Sequence, residues 1–526
     1  MRGERRRYTL LGFVGWLIVS LLSVRPARAL YLDDARTLFL TGTFYNQLRL
    51  RTQEPQGFNT KVGDWTVMQH RYFVDPQLQV QVLPWLRNLP VGADLAEALQ
   101  LDEARFFFNP RFEYDGVYDY GPDAFRDRLP PRLQKLNRFR LFEVYGDLMF
   151  FSGRFNVRAG RQNLSWGETD TFRLLDRINP LDNGFGGFLV PLDERRIPLT
   201  MLRATLGLGD YSQWNIFNTA LEAFIAPDKA LPKGAPGPTP WGVIGAPSPP
   251  GFPPTLVASL RAIGRPFRGT QLDRPDLNFA DSRWGMRLLW TWQDISFSLA
   301  HMSTYPDSAT PALRLNRQGD PVLKLKLPNI QVTGFTATAP IPGTYAVFRT
   351  EVGGFFNEPF FIEKVNYTLG KRLPKRDVVR AVIGIDNNQW IRALNPRQTF
   401  FMTGQFFWTN VQGSMPGIKV PLQSRPGHFI DVDRNNFINT LSINTLYPGI
   451  PLYFTQVQLQ PQVAYNYDWE GAWLLQRSLT FIRDPFRFRI EYNWIEGRFI
   501  TSPVAGVGIG LVRDKDNLAF RIDYLL

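Results

Sequence analysis

Apolar and polar residues alternate at a spacing of two through much of this chain and up to its last residue, and no other feature limits the fold as much. The pattern is plainest in residues 139–160. Phe142, Val144, Gly146, Leu148 and Phe150 alternate with Glu143, Tyr145, Asp147 and Met149. After a Ser152-Gly153 turn, Phe155, Val157 and Ala159 alternate with Asn156, Arg158 and Gly160. Successive side chains of a strand point to opposite faces, so each run carries one apolar and one polar face. Trp284, Met286, Leu288, Trp290 and Trp292 repeat the design, turn at Gln293-Asp294, and return as Ile295, Phe297 and Leu299.

The last hundred residues say what the polar face meets. Thr455, Val457, Leu459, Val463, Tyr465, Tyr467 and Trp469 alternate with Gln456, Gln458, Gln460, Gln462, Asn466 and Asp468. Four glutamines on one face of a dry core would each need several hydrogen-bond partners. A water-filled lumen removes that demand, and lipid then takes the apolar face. Phe486, Phe488, Ile490, Tyr492 and Trp494 repeat the pattern, and the chain closes on Leu518, Phe520, Ile522, Tyr524 and Leu526.

The N-terminus agrees with export. Arg2, Arg5, Arg6 and Arg7 precede a short apolar run, Leu10 to Leu22, and Ala27-Arg28-Ala29 has the small-x-small form of a cleavage site. Residues 1–29 therefore read as a secretory signal peptide. No later stretch approaches the roughly 20 apolar residues of a membrane-crossing helix. The chain has no cysteine, which excludes disulfides and thiolate metal sites. Its net charge is +13, but the first 29 residues hold six arginines against one glutamate. The mild remainder does not read as a nucleic-acid binder. With 14% aromatic residues and near-neutral hydropathy, the composition suits a wall wetted on one side and lipid-coated on the other.

The expected fold class is all-β: a single transmembrane antiparallel β-barrel over residues 30–526. Strands of about 10 residues separated by long loops predict roughly 14–18 of them. Ten prolines between Pro227 and Pro254 forbid ladder pairing and predict a long extracellular loop. Tyr345–Phe356 is expected to pair with Phe360–Leu369.

Residues 161–198 break the alternation. They crowd Arg161, Arg173, Arg177, Arg195 and Arg196 with Glu168, Asp170, Asp176, Asp182, Asp193 and Glu194. Folded into the barrel, these eleven residues would form a lumen constriction whose charges orient a passing solute. As an ordinary loop, their ions would pair with one another at little net energy. Phe172, Phe185, Phe188, Leu189 and Ile197 in the same stretch would line a hydrophobe pocket or simply pack on the wall.

Only His70, His301 and His428 are available for a His-based catalytic site, and no metal-ligand spacing appears. The chain therefore reads as a non-enzyme that needs no cofactor. A channel or transporter for a small polar, amphipathic or hydrophobic solute is the first functional reading. An adhesin or structural barrel acting through its outer loops is the alternative. Expected partners are outer-membrane lipid and lipopolysaccharide and the barrel-insertion machinery.

Several stretches resemble one bacterial family. They are Gly160-Arg161-Gln162 with Ser165-Trp166-Gly167-Glu168, Ile178-Asn179-Pro180-Leu181-Asp182, and Asp514-Lys515-Asp516-Asn517. Arg376 to Asp386, Trp390-Ile391-Arg392 and Phe400 to Trp408 match its longer members. The family is domain of unknown function 1302, predicted outer-membrane barrels of Gram-negative bacteria. The resemblance implies porin-like or export roles, for some members beside an inner-membrane exporter, and supplies no catalytic residues. The last strand also resembles the C-terminal signature of outer-membrane barrels, with Leu526 where phenylalanine is usual.

Overall fold

The computed structural model describes residues 30–526, other than 53–64, 124, 126–138, 171, 235–238, 242–253, 277, 414–418, 422–428, 432–433, 451–452, 467–470, 498–508 and 514. The expected signal peptide, His428 and the middle of the proline-rich stretch lie outside the described residues.

Eighteen strands form the wall. They are β1 Leu38–Arg51, β2 Val67–Gln81, β3 Leu101–Asp115, β4 Phe139–Phe150, β5 Phe155–Gln162, β6 Leu199–Tyr211, β7 Ile216–Ala226, β8 Arg283–Trp292, β9 Ile295–Thr304, β10 Ile330–Pro340, β11 Ala346–Pro359, β12 Lys375–Gln389, β13 Phe400–Val411, β14 Asn435–Pro448, β15 Gln456–Asn466, β16 Ala472–Arg483, β17 Phe486–Glu496 and β18 Asn517–Leu525. Each pairs antiparallel with the next, and β18 closes on β1 from Leu525 opposite Thr43 to Asn517 opposite Arg51. Closure leaves no long unpaired edge. No helix among the described residues is long and apolar enough to cross a membrane.

Connections at one rim are mostly the shorter ones, although residues 82–100 on that side hold the short helices Leu83–Arg87 and Gly92–Ala98. Residues 151–154, 212–215, 293–294, 341–345 and 484–485 turn the chain at one rim, where β1 begins and β18 ends. Residues 163–198, 227–282, 305–329 and 497–516 join strands at the other. A small sheet of Thr270–Leu272, Thr310–Leu315 and Pro321–Lys326 is built from two of these long connections.

The pleat sets the two faces. Met286, Leu299, Val352, Ile383, Phe406 and Leu441 are exposed on the outer face. Aromatic pairs lie toward both rims, Tyr465–Trp473 at the long-loop side (4.8 Å) and Phe486–Tyr524 at the short-turn side (5.2 Å). Such girdles mark the two membrane interfaces of a barrel.

Two expectations need correction. Phe142 does not share the outer face with Val144 and Leu148. The β3–β4 register shifts between Asn109 and Pro110, and this bulge turns Phe142 inward, where it is buried beneath the Arg111 guanidinium at 3.3 Å. Phe360–Leu369 is not a strand either. It holds a short helix, Glu363–Asn366, and β11 pairs with β12 instead.

Candidate functional site

Residues 163–198 leave the wall at the end of β5 and fold into the lumen. Their apolar residues are irregularly spaced because they meet a curved interior rather than one flat face. Leu164, Trp166, Leu174, Leu175 and Ile178 are all buried, and they pack on inward wall residues that include Met201, Phe224, Met302, Val332, Phe355 and Phe407. Leu175 enters a depression made by two paired glycines, Gly334 of β10 and Gly353 of β11. A Cβ on Gly334 would overlap the Leu175 methyl groups, and one on Gly353 would stand 2.8 Å from them.

Asn179 explains the Ile178-to-Asp182 stretch. Fully buried, its Oδ1 accepts from the Leu164 amide (2.8 Å) and its Nδ2 donates to the Ile197 carbonyl (3.0 Å). One side chain thus ties together the entry and exit of the segment, satisfying main-chain groups that have no ladder. Trp166 is held in the same way, its Nε1 donating to Glu222 of β7, which also pairs with Arg203 and Arg287. The Leu175 amide donates to Glu351 of β11 (3.1 Å), as does that of Glu168.

The other end of the segment is pinned to the opposite wall. Glu194 accepts from Tyr45 Oη of β1 (2.6 Å) and Arg71 of β2 (2.8 Å), and lies 3.6 Å from Arg521 of β18. Burial raises the Glu194 carboxyl, but the guanidinium groups of Arg71 and Arg521 outweigh it and hold the group below its ordinary value. Asp307, reaching in from the β9–β10 connection, receives both Arg173 (2.6 Å) and Arg177. Burial likewise raises Asp307, and those two arginines bring it below the usual carboxylate range.

The eleven charged residues singled out in the sequence therefore have different fates. Arg173 and Arg177 meet at Asp307; Arg196 bonds Asp176 (2.6 Å) and Asp193. Asp182 caps the Gly184 amide (3.0 Å) and lies 3.6 Å from Lys233. Arg195, which burial pulls down to about 10, donates to Asn183 (3.0 Å). Glu168 contributes its main chain, through Glu351 and Arg349. Arg161 stands apart. It occupies the outward register of Val144 and Thr200, and its Nε donates to the Phe142 carbonyl (3.1 Å). Most of these ions are thus spent on holding the segment in place.

Asp170, exposed like Glu168 and Asp193, borders a cavity. Its side chain is 54% exposed and accepts from Arg349 of β11 (2.7 Å), which also bonds Asp386 of β12 (2.7 Å). Beside this trio, on the next strands of the same wall, stand Gln405 of β13, Thr440 and Ser442 of β14, and Gln460 and Gln462 of β15, with Phe401, Ala464 and Leu474 among them. Together they line a cavity of about 290 Å³. A larger groove of about 560 Å³ has Ile383, Ile385, Phe406, Leu441 and Trp473 in its lining and opens on the outward face.

Sequence reasoning missed Glu222, Asp307, Arg349, Glu351 and Asp386. Apart from Asp307, each is an inward residue of a wall strand, and its signal was a charge in register on the polar face. Phe172 packs edge-on against Phe407 (5.8 Å), and Phe185, Leu189 and Ile197 are buried. The Phe188 side chain lies outside the described residues. His301 faces outward beside Thr333 (2.8 Å), and His70 beside Asn46 (3.1 Å) and Tyr120 (2.5 Å).

The family model described as protein of unknown function (DUF1302) matches residues 11–526. No curated protein matches the sequence. Among solved structures the chain is similar to Acinetobacter baumannii OccAB3, at 10% identity and a TM-score of 0.46, covering 93% of this chain and 99% of that one. It is also similar to the outer membrane protein opdK from Pseudomonas aeruginosa, at 9% identity, a TM-score of 0.42 and coverage of 93% and 98%. For Pseudomonas aeruginosa OccK2 (OpdF) the values are 10%, 0.44, 94% and 98%.

Proposed function

The chain belongs to the family of proteins of unknown function DUF1302, and we propose that it is an outer-membrane channel narrowed by its own residues 163–198. In this reading the short turns face the periplasm and the long loops the exterior, as is usual for such barrels. The observation that carries it is the remaining slot, where Asp170, Arg349 and Asp386 border a row of amide and hydroxyl groups on β13 to β15, with Phe401, Ala464 and Leu474 also in its lining. Glutamine, threonine and serine exchange hydrogen bonds with a passing solute at little cost, because each both donates and accepts. Two carboxylates against one guanidinium leave the slot slightly negative, so small neutral and cationic polar solutes are favoured over anions. A hydrophobe pocket is the weaker reading, since Phe172, Phe185 and Leu189, three of the residues that would line it, are taken up by packing. Lipopolysaccharide, the insertion machinery and an inner-membrane exporter fit the same picture as partners.

The test is single-channel conductance of the refolded protein in planar bilayers. The wild type should conduct weakly with a modest cation preference. Deletion of 163–196 should raise conductance several-fold, and Arg349→Ala should raise it less while strengthening the cation preference. Silence of all three refolded proteins would reject the conduit and favour the adhesin alternative.

A further inference from the structure

The outward face of β16 reads Trp473, Leu475, Arg477, Leu479, Phe481. Trp473 pairs with Tyr465 in the long-loop girdle, and Phe481 lies between Phe454 (4.8 Å) and Phe488 (6.2 Å) in the short-turn girdle. These two aromatics are eight residues apart, roughly 27 Å of strand. Arg477 stands midway between them. Its register partners on the two sides are Pro461 of β15 and Tyr492 of β17, and its side chain is exposed.

An arginine facing lipid at this depth is costly, and too far from either interface for its head to reach water easily. Among the described residues, outward carboxylates occur only near strand ends, at Asp102, Asp377 and Glu496. The acids in mid-strand, such as Asp147, Glu222, Glu351 and Glu491, face the lumen. Beside Arg477 the wall is also irregular. The β14–β15 register runs from Ser442–Gln462 to Thr445–Leu459 without pairing the two residues between, where Pro461 brings no N–H.

We infer that the face of β15–β17 centred on Arg477 is a lateral docking surface for a different membrane-embedded protein that presents a carboxylate at mid-bilayer depth. Charge complementarity selects the occupant. A lipid's anionic headgroup lies at the interface rather than the midplane, and a second copy offers no outward acid at mid-strand among its described residues. The inference requires the barrel to span a membrane, but it does not require it to conduct.

The test places a photo-crosslinking amino acid at Leu479, the next outward position, in the full-length protein in its own outer membrane. The expected result is one discrete adduct with another protein, whose crosslinked peptide contains Asp or Glu. It should fall at least tenfold in Arg477→Leu and persist in Arg477→Lys. Lipid adducts alone, an adduct with a second copy, or one indifferent to Arg477→Leu would overturn the inference. Purified protein in liposomes supplies an independent measurement. There Arg477→Leu should raise the unfolding midpoint, since it removes a lipid-facing charge that has no ion pair among the described residues. A lowered midpoint would mean that Arg477 is satisfied within its own chain, and the inference would fail.

Discussion

Leu175 offers the most direct way to loosen the inward segment without touching the wall. Its side chain is almost wholly buried against Gly334 and Gly353. Truncating a buried leucine to alanine costs about 2–5 kcal/mol, the transfer free energy plus the cavity left behind. The antiparallel ladder contributes nothing to that contact, so the loss falls on docking of the segment. Even about 2 kcal/mol raises the undocked fraction about thirtyfold. Gly334→Ala attacks the same contact from the wall, because the new Cβ overlaps the leucine methyl groups, an overpacking cost of about 1–3 kcal/mol. The double variant should be milder than the sum, since the shortened side chain makes room for the new methyl, and a coupling of about 0.5–3 kcal/mol is expected. The assay is single-channel recording in planar bilayers, with heat-modifiable gel mobility as the folding control. Each single variant should visit a higher-conductance level far more often than the wild type, and the double variant less often than the singles predict. If both singles fold and keep wild-type levels and dwell times, Leu175 does not hold the segment and the docking argument is wrong.

Glu194→Gln should cost about 1.5–3 kcal/mol of docking, the range for hydrogen bonds to a charged group, because Arg71 keeps Glu113 and Arg521 keeps Asp523. Unfolding midpoints of the two proteins check this. Glu194 and Asp307 both sit below their ordinary values, so their contribution is complete above the unfolded carboxylate range and is lost as pH falls through the folded one. Channel noise and proteolysis of the segment should therefore be flat from about pH 5 to 8 and rise below about pH 4. Arg161→Gln should leave conductance and ion selectivity unchanged, since Arg161 shares the outward register of Val144 and Thr200; a change in reversal potential would return it to the lumen.

Residue order alone determined the barrel, because the period of two is a local property. A residue's face follows from its strand position, as the glutamines of β15 and the aromatics of β8 illustrate, and one wet and one greasy face admit few closed folds. Where one extra residue enters a strand, local reading fails, and Phe142 sits inside for that reason. The segment 163–198 was visible as a break in the pattern, with its charges, but not the use of those charges. Asp176 and Arg196 are 20 residues apart, Glu194 and Tyr45 149 apart, and Asp170 and Arg349 179 apart. No spacing rule reaches across such intervals. Only closure of the wall brings β11 and β12 beside Asp170, continues that surface with the amides of β13 and β15, and aligns Gly334 with Gly353 to receive Leu175. Facing is written in the chain two residues at a time; the opening left in the lumen exists only once eighteen strands have closed around it.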